Sequence, residues 1–432
     1  MKSELSAFIE EKVNEEKLEK YLIKPSRLVG NVKISGAKNS VLRLLAASLL
    51  SSEEVLIENY PAELKDAEIH VGMLELLGKT CQTGDESIII TENQAPPSRL
   101  DWKKRSIRNT LLVLGALVAR TGAGAVPLPG GCQIGERKYD LHELVLQKLG
   151  ARVWTENNFL CAESKGRLRG TDIHLPFRST GATENAIICG CLATGTTRVW
   201  NPHVRPEILD LIQFLKNMGA DIEVFGQEHI AIHGCDGLKG TRYRALPDNM
   251  EALTWLIASV ITGGDIEIYN FPLRHLEVPL IHLRESGARF FHGDDCLIVR
   301  GGKCYPIDIS TGPYPGINSD MQPLFAVYGS CARGESRIID LRFPGRYGYV
   351  RELAKMGVRF SIDENLLRIS GGTQLAGAEV RALDLRAGIA LTLAGLVAHG
   401  ETVVHDVWQV ERGYNRLIPK LCSLGASVSV VL

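Results

Sequence analysis

A period of about 70 residues runs through the whole chain. A helix-like run that ends in a step from a mostly hydrophobic residue to glycine occurs six times, and the intervals between the six glycines are 72, 69, 68, 70 and 68 residues. The six steps are Leu77-Gly78, Leu149-Gly150, Met218-Gly219, Ser286-Gly287, Met356-Gly357 and Leu424-Gly425. A long period that recurs without drift predicts six copies of one supersecondary unit.

Each repeat has the predicted order helix, strand, helix, hairpin. The third repeat is the clearest, with the helical run 183–193, the strand 197–200, the helix 206–219 and a hairpin formed by 222–225 and 229–233. Apolar and polar residues alternate in the hairpin strands, which indicates one buried and one solvated sheet face.

The first helix of each repeat is apolar around most of its circumference, which is typical of a buried helix. These helices are predicted over 40–50, 111–119, 186–193, 253–261, 324–331 and 389–397. Three buried helices per domain, covered by outer helices and sheets, predict an α/β fold in which each domain is an inside-out α/β barrel with helices at its centre.

The chain has 432 residues, which is too long for one compact core, so three repeats per domain is the natural division. Breaks fall at 35–37 and 244–248. We predict an N-terminal extension at 1–19, a first domain at 38–246, and a second domain formed by 20–37 together with 247–432. Because the chain then crosses twice between the domains, we expect a hinge and an active site in the interdomain cleft.

Charge and cysteine usage exclude several classes of function. The formal net charge is −1, so no global field would attract nucleic acid or an anionic membrane. None of the ten cysteines forms a C-x-x-C pair, which argues against a zinc ribbon and is typical of reduced thiols in a cytoplasmic protein. No apolar run reaches membrane-spanning length. We expect a cytoplasmic protein, and the sequence does not indicate its oligomeric state.

The strongest local signal is the glycine-rich segment 128–137, which contains Pro129, Gly130, Gly131 and Cys132. This composition predicts a loop that exposes Cys132. Arg137 could lower the pKa of the thiol and hold an anion. The other nine cysteines are interpreted as buried and inert, which is the usual state of a free cysteine.

Other candidates stand at the starts of predicted buried helices. Lys38 and Asn39 follow a Ser-Gly-Ala turn, where a cation and helix N–H groups suit a phosphate, although a solvated first turn is the simpler interpretation. Asp320 is the candidate general base, and it could also be a helix N-cap.

Four arginines occupy equivalent places in the repeats: Arg108, Arg346, Arg386 and Arg412. A charge at the mouth of a buried helix needs a partner, either a neighbouring acid or a bound anion. For Arg386 the adjacent Asp384 could supply that partner. Several such arginines together would bind a carboxylate and a phosphate.

With these residues the chain resembles the enolpyruvyl transferases, and within them the branch that acts on UDP-N-acetylglucosamine in peptidoglycan synthesis. The resemblance covers 21–432. Its motifs are Ser35-Gly36-Ala37-Lys38-Asn39, Pro129-Gly130-Gly131-Cys132-x-Ile134-Gly135-x-Arg137 with Asp140-Leu141-His142, Gly181-Ala182-Thr183-Glu184-Asn185, Asp320-Met321-Gln322, Asp384-Leu385-Arg386-Ala387 and Arg412-Gly413-Tyr414. The cysteine loop distinguishes the chain from the shikimate-pathway relative.

The resemblance implies transfer of the enolpyruvyl group of phosphoenolpyruvate to the 3-hydroxyl of UDP-N-acetylglucosamine, with release of phosphate and without a metal or organic cofactor. It implies that Cys132 is the general acid and the thiol that fosfomycin-like epoxides alkylate, and that Asp320 takes the acceptor proton, with Lys38 and Arg412 also catalytic. The implied phosphoenolpyruvate-binding residues are Lys38, Asn39, Arg137, Arg346, Arg386 and Arg412. The implied nucleotide-sugar-binding residues are Asn39, Arg108, Arg137, Lys138, Tyr139, Asp140, Leu141, Ser179, Thr180, Gly181, Asp320 and Arg342.

The chain departs from the family on the acceptor side. Lys138 and Tyr139 replace a proline and a branched apolar residue, Asn249 replaces an arginine, Arg342 replaces an apolar residue, and Asn318 replaces a proline. Two alternatives therefore stay open: a paralogue that enolpyruvylates another nucleotide such as UMP in nucleoside-antibiotic biosynthesis, and a binding protein that kept the fold but lost turnover.

Overall fold

The computed structural model describes residues 19–105, 107–129 and 139–432. They form two compact units: unit A is Gly36–Leu246, and unit B combines 19–35 with Pro247–Leu432. Each unit has its own hydrophobic core. Within the described residues, no helix is both long enough and apolar enough to span a membrane.

The α-helices of the described residues are α1 (Lys38–Ala47), α2 (Lys65–Leu76), α3 (Thr110–Thr121), α4 (Asp140–Lys148), α5 (Thr180–Cys191), α6 (Pro206–Asn217), α7 (Asn249–Ile261), α8 (Glu277–Glu285), α9 (Gln322–Cys331), α10 (Gly348–Lys355), α11 (Leu385–Gly395), α12 (Trp408–Glu411) and α13 (Leu417–Ser423). Short 3₁₀ turns cover Ser48–Leu50, Leu273–His275 and Ser319–Met321.

The strands are β1 (Lys20–Ile23), β2 (Val29–Lys33), β3 (Val55–Glu58), β4 (Lys79–Thr83), β5 (Ser87–Glu92), β6 (Ala123–Pro127), β7 (Ala151–Glu156), β8 (Phe159–Ser164), β9 (Asp172–His174), β10 (Thr196–Trp200), β11 (Asp221–Phe225), β12 (His229–His233), β13 (Thr241–Arg244), β14 (Asp265–Tyr269), β15 (Arg289–His292), β16 (Cys296–Arg300), β17 (Asp308–Ser310), β18 (Glu335–Ile339), β19 (Arg359–Asp363), β20 (Leu366–Ser370), β21 (Glu379–Arg381), β22 (Thr402–His405) and β23 (Val428–Val431).

Each unit contains three small sheets within the described ranges, and one pairing pattern recurs in them. A leading strand lies parallel to the strand that follows the buried helix, and the hairpin adds two antiparallel strands, as in the order β17-β18-β20-β19. In the sheet of β6, β7 and β8 the leading strand is reduced to a parallel bridge between Arg99 and Ala125. Most leading strands were not predicted from sequence, because strands such as β9 and β17 have only three residues, too few to show periodicity.

Strands from distant parts of the chain complete the sheets. In unit A, β13 pairs with β3, so the last strand of the unit closes the sheet of its first repeat. In unit B, β1 lies between β22 and β23, so the N-terminal strand completes the last repeat. Also in unit B, β2 pairs with β14, so a strand from the N-terminal part of the chain joins the sheet of the fourth repeat.

The predicted first helices of the repeats are confirmed as buried helices. In α3 every residue from Thr110 to Ala119 is buried, and in α11 every residue from Leu385 to Gly395 is buried. α5 begins at Thr180, three residues before the predicted run, because Ser179 caps it through a hydrogen bond from the Ala182 N–H (3.4 Å). The predicted mixed α/β content is confirmed.

The six periodic glycines share one backbone conformation. Gly78, Gly150, Gly219, Gly287, Gly357 and Gly425 have φ angles of 86°, 93°, 102°, 94°, 93° and 87°. This left-handed region costs glycine little and ends a helix by turning the chain away from it. The residue before each glycine is buried, so the recurring step joins a packed helix end to a turn.

Candidate functional site

Asp320 in unit B contacts two buried arginines. Its Oδ1 accepts a hydrogen bond from Arg346 Nη1 at 2.9 Å, and its Oδ2 lies 3.4 Å from Arg386 Nε and Nη2. The side chains of Arg346 and Arg386 are 8% and 5% exposed, against 28% for Asp320. The carboxylate is therefore the accessible member of a cluster whose cations lie beneath it.

Neighbouring groups keep both guanidiniums charged. Burial works to lower the pKa of Arg386, but Asp320, Tyr414 and Asp248 outweigh it and the net pKa shift is upward. Burial also works to lower the pKa of Arg346, and the attraction of Asp320 and Asp384 reverses the shift. Two buried, permanently charged guanidiniums form a strong receptor for an anion.

The sequence left open whether Asp384 pairs with the Arg386 side chain and whether Asp320 is a helix N-cap. The side-chain positions answer both questions. Asp384 is the N-cap of α11 and accepts from the backbone N–H of Arg386 at 2.7 Å, whereas the Arg386 guanidinium turns to Asp320. Asn318, not Asp320, caps the 3₁₀ turn, accepting from the Asp320 N–H at 3.0 Å. Capping therefore leaves the Asp320 carboxylate available to the arginines.

Asp340, which the sequence analysis did not assign, supports this arrangement. It is fully buried and accepts from Ser319 Oγ at 2.6 Å and from Thr311 Oγ1 at 2.9 Å. Ser319 in turn accepts from Arg346 Nη1 at 3.2 Å. Nothing local in the sequence distinguishes Asp340 from a surface loop acid, because its partners are up to 29 residues away.

Two further predicted residues of unit B lie on more accessible surface. The Arg412 guanidinium donates to Gln409 at 3.1 Å and lies 5.5 Å from the Trp408 ring centroid. Arg342 is exposed, and its guanidinium lies 5.4 Å from the ring centroid of Phe343.

In unit A, Lys38 is the first residue of α1 and forms an ion pair with Asp66 of α2. The distance from Nζ to Oδ2 is 2.8 Å, and the side chains are 11% and 3% exposed. Asn39 is half-buried beside it. The interpretation of Lys38 as a solvated first turn is therefore wrong, because a buried acid on the neighbouring helix holds its ammonium group.

The start of α4 packs against the start of α5. Tyr139 is half-buried, Asp140 is exposed and Leu141 is buried. His142 is 6% exposed and lies so close to Gly181 that a Cβ there would be 2.8 Å from His142 Nε2. Only glycine fits this approach.

Neighbouring charges act on the same region. Burial, Arg108 and Arg43 lower the pKa of His142 to about 3. The half-buried Arg108 therefore lies near His142, and the imidazole stays neutral at physiological pH.

The remaining predicted contacts of unit A are at the N-terminus of α5. Thr180 Oγ1 lies 2.8 Å from His203 Nδ1, and the His203 N–H donates to Thr183 Oγ1 at 3.1 Å. Ser179, Thr180 and Gly181 are half-buried, whereas the rest of α5 is buried. The polar start of this helix is its accessible end.

A second charge cluster, which the sequence analysis also left unassigned, lies one turn into α1 and α5. Arg43 Nε donates to Glu184 Oε1 at 2.8 Å, and Arg205 binds Glu207 with two hydrogen bonds of 2.7 and 2.8 Å. Burial raises the pKa of Glu184, partly opposed by Arg43 and Arg205. A charge inside the apolar run 40–50 was the signal that could have revealed Arg43.

Three predicted site residues, Cys132, Arg137 and Lys138, lie outside the described residues. Of the other nine cysteines, Cys161, Cys189, Cys191 and Cys304 are buried, but Cys422 is exposed. The prediction that all nine are buried is therefore wrong for Cys422, which lies at the end of the short helix α13. It is also wrong for the four half-buried cysteines, which are Cys81, Cys235, Cys296 and Cys331. In the described part of the chain, no group of three or more His, Cys, Asp and Glu side chains could hold a metal ion.

The described chain thus combines two units of repeated helices and small sheets, with an arginine-bound aspartate in one unit and a buried lysine in the other. The chain belongs to the EPSP synthase (3-phosphoshikimate 1-carboxyvinyltransferase) family, whose model matches residues 22–421. The prediction of an enolpyruvyl transferase is confirmed.

Two similar proteins with assigned names belong to one branch of this family. A protein of Caldanaerobacter subterraneus subsp. tengcongensis named UDP-N-acetylglucosamine 1-carboxyvinyltransferase 1 is 40% identical over 93% of this chain and 96% of its own length. A protein of Gluconacetobacter diazotrophicus named UDP-N-acetylglucosamine 1-carboxyvinyltransferase is also 40% identical, over 94% of this chain and 97% of its own.

Solved structures agree on the fold. The enolpyruvyl transferase NikO from Streptomyces tendae superposes with a TM-score of 0.85 at 26% identity, covering 96% of this chain and 99% of its own. EPSP synthase from Acinetobacter baumannii has a TM-score of 0.76 at 17% identity, covering 96% of this chain and 100% of its own, and it supports the fold alone.

Proposed function

We propose that this enzyme transfers the enolpyruvyl group of phosphoenolpyruvate to the 3-hydroxyl of UDP-N-acetylglucosamine and releases phosphate. The observation that carries the proposal is the arrangement at Asp320, where one accessible carboxylate engages two buried guanidiniums through both of its oxygens. Phosphoenolpyruvate carries a carboxylate and a phosphate, the two anions that guanidinium groups bind best.

Asp320 occupies the place that a substrate anion would take. An anion that binds Arg346 or Arg386 competes with Asp320 for the same N–H donors and frees a carboxylate oxygen. That oxygen can then accept the proton of the acceptor hydroxyl, which is the role of a general base. Substrate binding and activation of the base are thereby coupled in one cluster.

The reaction then needs a proton donor and charge stabilisation. The acceptor oxygen attacks C2 of phosphoenolpyruvate while the thiol of Cys132 protonates C3, which gives a tetrahedral intermediate. Loss of that C3 proton and of phosphate restores the double bond in the product. Lys38, Arg137 and Arg412 hold the phosphate and carboxylate of phosphoenolpyruvate, and Arg346 and Arg386 support them. Preorganised cations of this kind supply most of the stabilisation in such sites.

The acceptor contacts are assigned to unit A together with Asp320 and Arg342. Asn39, Arg108, Tyr139–Leu141 and Ser179–Gly181 supply polar groups and one apolar surface. Arg137 and Lys138, which lie outside the described residues, are assigned to the same role. Two relatives that are 40% identical over more than nine-tenths of the chain bear the name of the nucleotide-sugar enzyme. On this proposal the enzyme is cytoplasmic, begins peptidoglycan synthesis, is alkylated by fosfomycin at Cys132, and folds as two inside-out barrels.

Phosphate release tests the proposal directly. The enzyme is mixed with phosphoenolpyruvate and either UDP-N-acetylglucosamine or UMP, with Cys132→Ala as the control for background hydrolysis. Release with the nucleotide-sugar that is lost in Cys132→Ala supports the proposal. Release with neither acceptor would refute it.

The second candidate is a transferase that acts on a simpler nucleotide such as UMP. The exposed Arg342 favours it, because this arginine stands where the resemblance implies an apolar residue near the sugar, and a guanidinium there suits a phosphate better than the neutral sugar ring. Phosphate release with UMP and none with UDP-N-acetylglucosamine would select this candidate while leaving the roles of Asp320 and Cys132 unchanged.

A further inference from the structure

The accessible surface of helix α1 is limited to three positions. Lys38, Asn39 and Arg43 are half-buried, and every other residue of the helix is buried. Asn39 and Arg43 are four residues apart, so they lie on one face of the helix, separated by about one 5.4 Å turn. Any ligand that contacts Asn39 on this helix therefore lies within a turn of Arg43.

Helix α5 has a matching arrangement. Its accessible positions are Thr180 and Gly181, and Glu184 follows them on the same face one turn further into the helix. Arg43 Nε donates to Glu184 Oε1 at 2.8 Å. This bond joins the two accessible helix ends, and the Arg43–Glu184 pair lies one turn beneath Asn39 and Thr180.

The bond to Glu184 uses a small part of the hydrogen-bonding capacity of Arg43. A guanidinium has five N–H donors, and a structural pair with a carboxylate is commonly bidentate. Within the described residues, Nε is the only nitrogen of Arg43 that donates a hydrogen bond. The side chain is 18% exposed, and neither terminal nitrogen is among the buried side-chain atoms of the described residues that lack a hydrogen-bond partner.

Arg205 provides a contrast in the same unit. Its guanidinium binds Glu207 with both Nε and Nη2, and Glu207 is 2% exposed. That geometry is expected of a structural ion pair. Arg43 instead has an acid that fixes its position and leaves its two terminal nitrogens facing accessible space.

We propose that Arg43 is a specificity-determining residue whose two terminal NH₂ groups bind a phosphoryl oxygen of the acceptor nucleotide, with Glu184 positioning the guanidinium. The inference rests on the proposed function for the identity of the acceptor. A phosphoryl group suits the site because its oxygens accept paired N–H donors from guanidinium, and because the site is only partly exposed to solvent.

Binding measurements separate this inference from the proposed function. Calorimetry of the full-length enzyme with UDP, UMP and uridine measures the contribution of the phosphoryl groups without any turnover. In the wild type, UMP should bind more tightly than uridine. In Arg43→Met, affinity for UMP and UDP should fall roughly 10- to 100-fold, and affinity for uridine should stay within about twofold.

Kinetics give the second readout. If the enzyme turns over UDP-N-acetylglucosamine, Arg43→Met should raise the KM for that acceptor by the same factor and leave the KM for phosphoenolpyruvate unchanged. Arg43→Lys keeps the charge but loses the planar pair of donors, so an intermediate loss of about 3- to 10-fold is expected. Equal losses for phosphoenolpyruvate and the nucleotide would overturn the assignment to the acceptor. An inactive wild type would refute the proposed function while leaving the binding comparison valid.

Two further variants serve as controls, one for the effect of Arg43→Met on folding and one for the loss of an arginine elsewhere in unit A. Arg43→Met leaves Glu184 buried without its cation, so the double variant R43M/E184L removes both charges and should regain thermal stability without regaining UMP affinity. Recovery of UMP affinity in the double variant would show that Arg43 acts only through folding and would overturn the proposal. Arg152→Met changes an arginine of the same unit whose side chain is 73% exposed and should alter neither affinity nor KM.

Discussion

The two units contain charge clusters of opposite design. In unit B, an accessible acid is held by two buried arginines, and both oxygens of Asp320 are engaged. In unit A, buried acids hold more accessible cations: Asp66 holds Lys38, and Glu184 holds Arg43. One cluster presents a carboxylate with fixed cations beneath it, and the other presents cations with fixed acids beneath them.

On the proposed function, this difference explains how a chain with a net charge of −1 would bind anionic substrates. Each buried charge needs a partner of opposite sign, so neither cluster contributes much to the total charge. What differs is which partner a ligand can reach and displace. We therefore propose that a substrate anion displaces Asp320 from its arginines in unit B. In unit A, we propose that Arg43 binds the phosphate of the acceptor directly.

The largest expected effect comes from neutralising the accessible acid of unit B. Asp320→Asn should lower kcat by about 10²- to 10⁴-fold, because the proposed general base is lost while the size of the side chain is preserved. Phosphate release at saturating substrates measures this. The exposed Asp294→Asn is the matched control. A decrease of less than about tenfold would assign the base to another residue.

Asp340, which lies behind the Asp320 cluster through Ser319, should contribute to the stability of the protein. Asp340→Asn should lower the free energy of unfolding by about 1–3 kcal/mol, because the fully buried carboxylate accepts two hydroxyl and two backbone N–H hydrogen bonds. Urea unfolding measures the change, and Asp308→Asn, whose side chain is 64% exposed, should have little effect. Equal stability of Asp340→Asn and the wild type would mean that Ser319 and Arg346 keep their positions without it.

Unit A should respond to acid through its buried histidines. Burial lowers the pKa of both His70 and His142 to about 3. Below the ordinary histidine pKa of about 6.5, the unfolded chain takes up protons that the folded chain does not, so stability is present at neutral pH and is lost as the pH falls. Each histidine should contribute about 1.4 kcal/mol per pH unit.

Replacing one of these histidines tests the pH effect. His70→Gln retains an acceptor for the Asn109 side chain, which lies 2.9 Å from His70 Nδ1, and it should reduce the slope of unfolding free energy against pH by about 1.4 kcal/mol per unit between pH 4.5 and 6. Denaturant unfolding in buffers across that range gives the slope. The exposed His292→Gln should leave it unchanged. An unaltered slope in His70→Gln would assign the acid sensitivity to other groups.

The smallest effect is expected at the exposed rim of unit B. Arg342→Ala should raise the KM for the acceptor by no more than about fivefold, because exposed charged contacts contribute up to about 1 kcal/mol. Comparing the KM values for UDP-N-acetylglucosamine and UMP sharpens the test. A larger rise in KM for UMP than for UDP-N-acetylglucosamine would indicate that Arg342 contacts a phosphate, and it would favour UMP as the acceptor.

Much of the architecture could be predicted from the sequence. The glycine after each outer helix has φ between 86° and 102°, and the helices predicted to be buried are buried. These features are local, because a left-handed helix end needs glycine and an apolar helix needs a core. Most leading strands were missed, because strands such as β9 and β17 have three residues each and exist only through pairing with a distant strand.

The site residues divide in the same way. Lys38 and Asp320 were predicted from their positions at helix starts, and Arg346 and Arg386 from their places in the repeats. The structure places Asp320 and these two arginines in one cluster. The predicted equivalence of the arginines is wrong, because Arg346 precedes the outer helix α10 and Arg386 lies at the start of the buried helix α11. The roles of Cys132, Arg137 and Lys138 stay predictions, as does the interdomain cleft. Asp66, Asp340 and Glu184 were missed, because a buried acid in sequence looks like any other acid.

The sequence alone determined the sixfold repeat, the buried helices and the family, since each depends on residue type at a regular spacing. Only the tertiary structure decided which charges face each other. Asp384 stands next to Arg386, yet the guanidinium turns to Asp320, which is 66 residues away in the chain. Arg43 likewise binds Glu184 across 141 residues. Pairing of buried charges follows from distance in the folded chain, and neighbours in the sequence need not be partners in space.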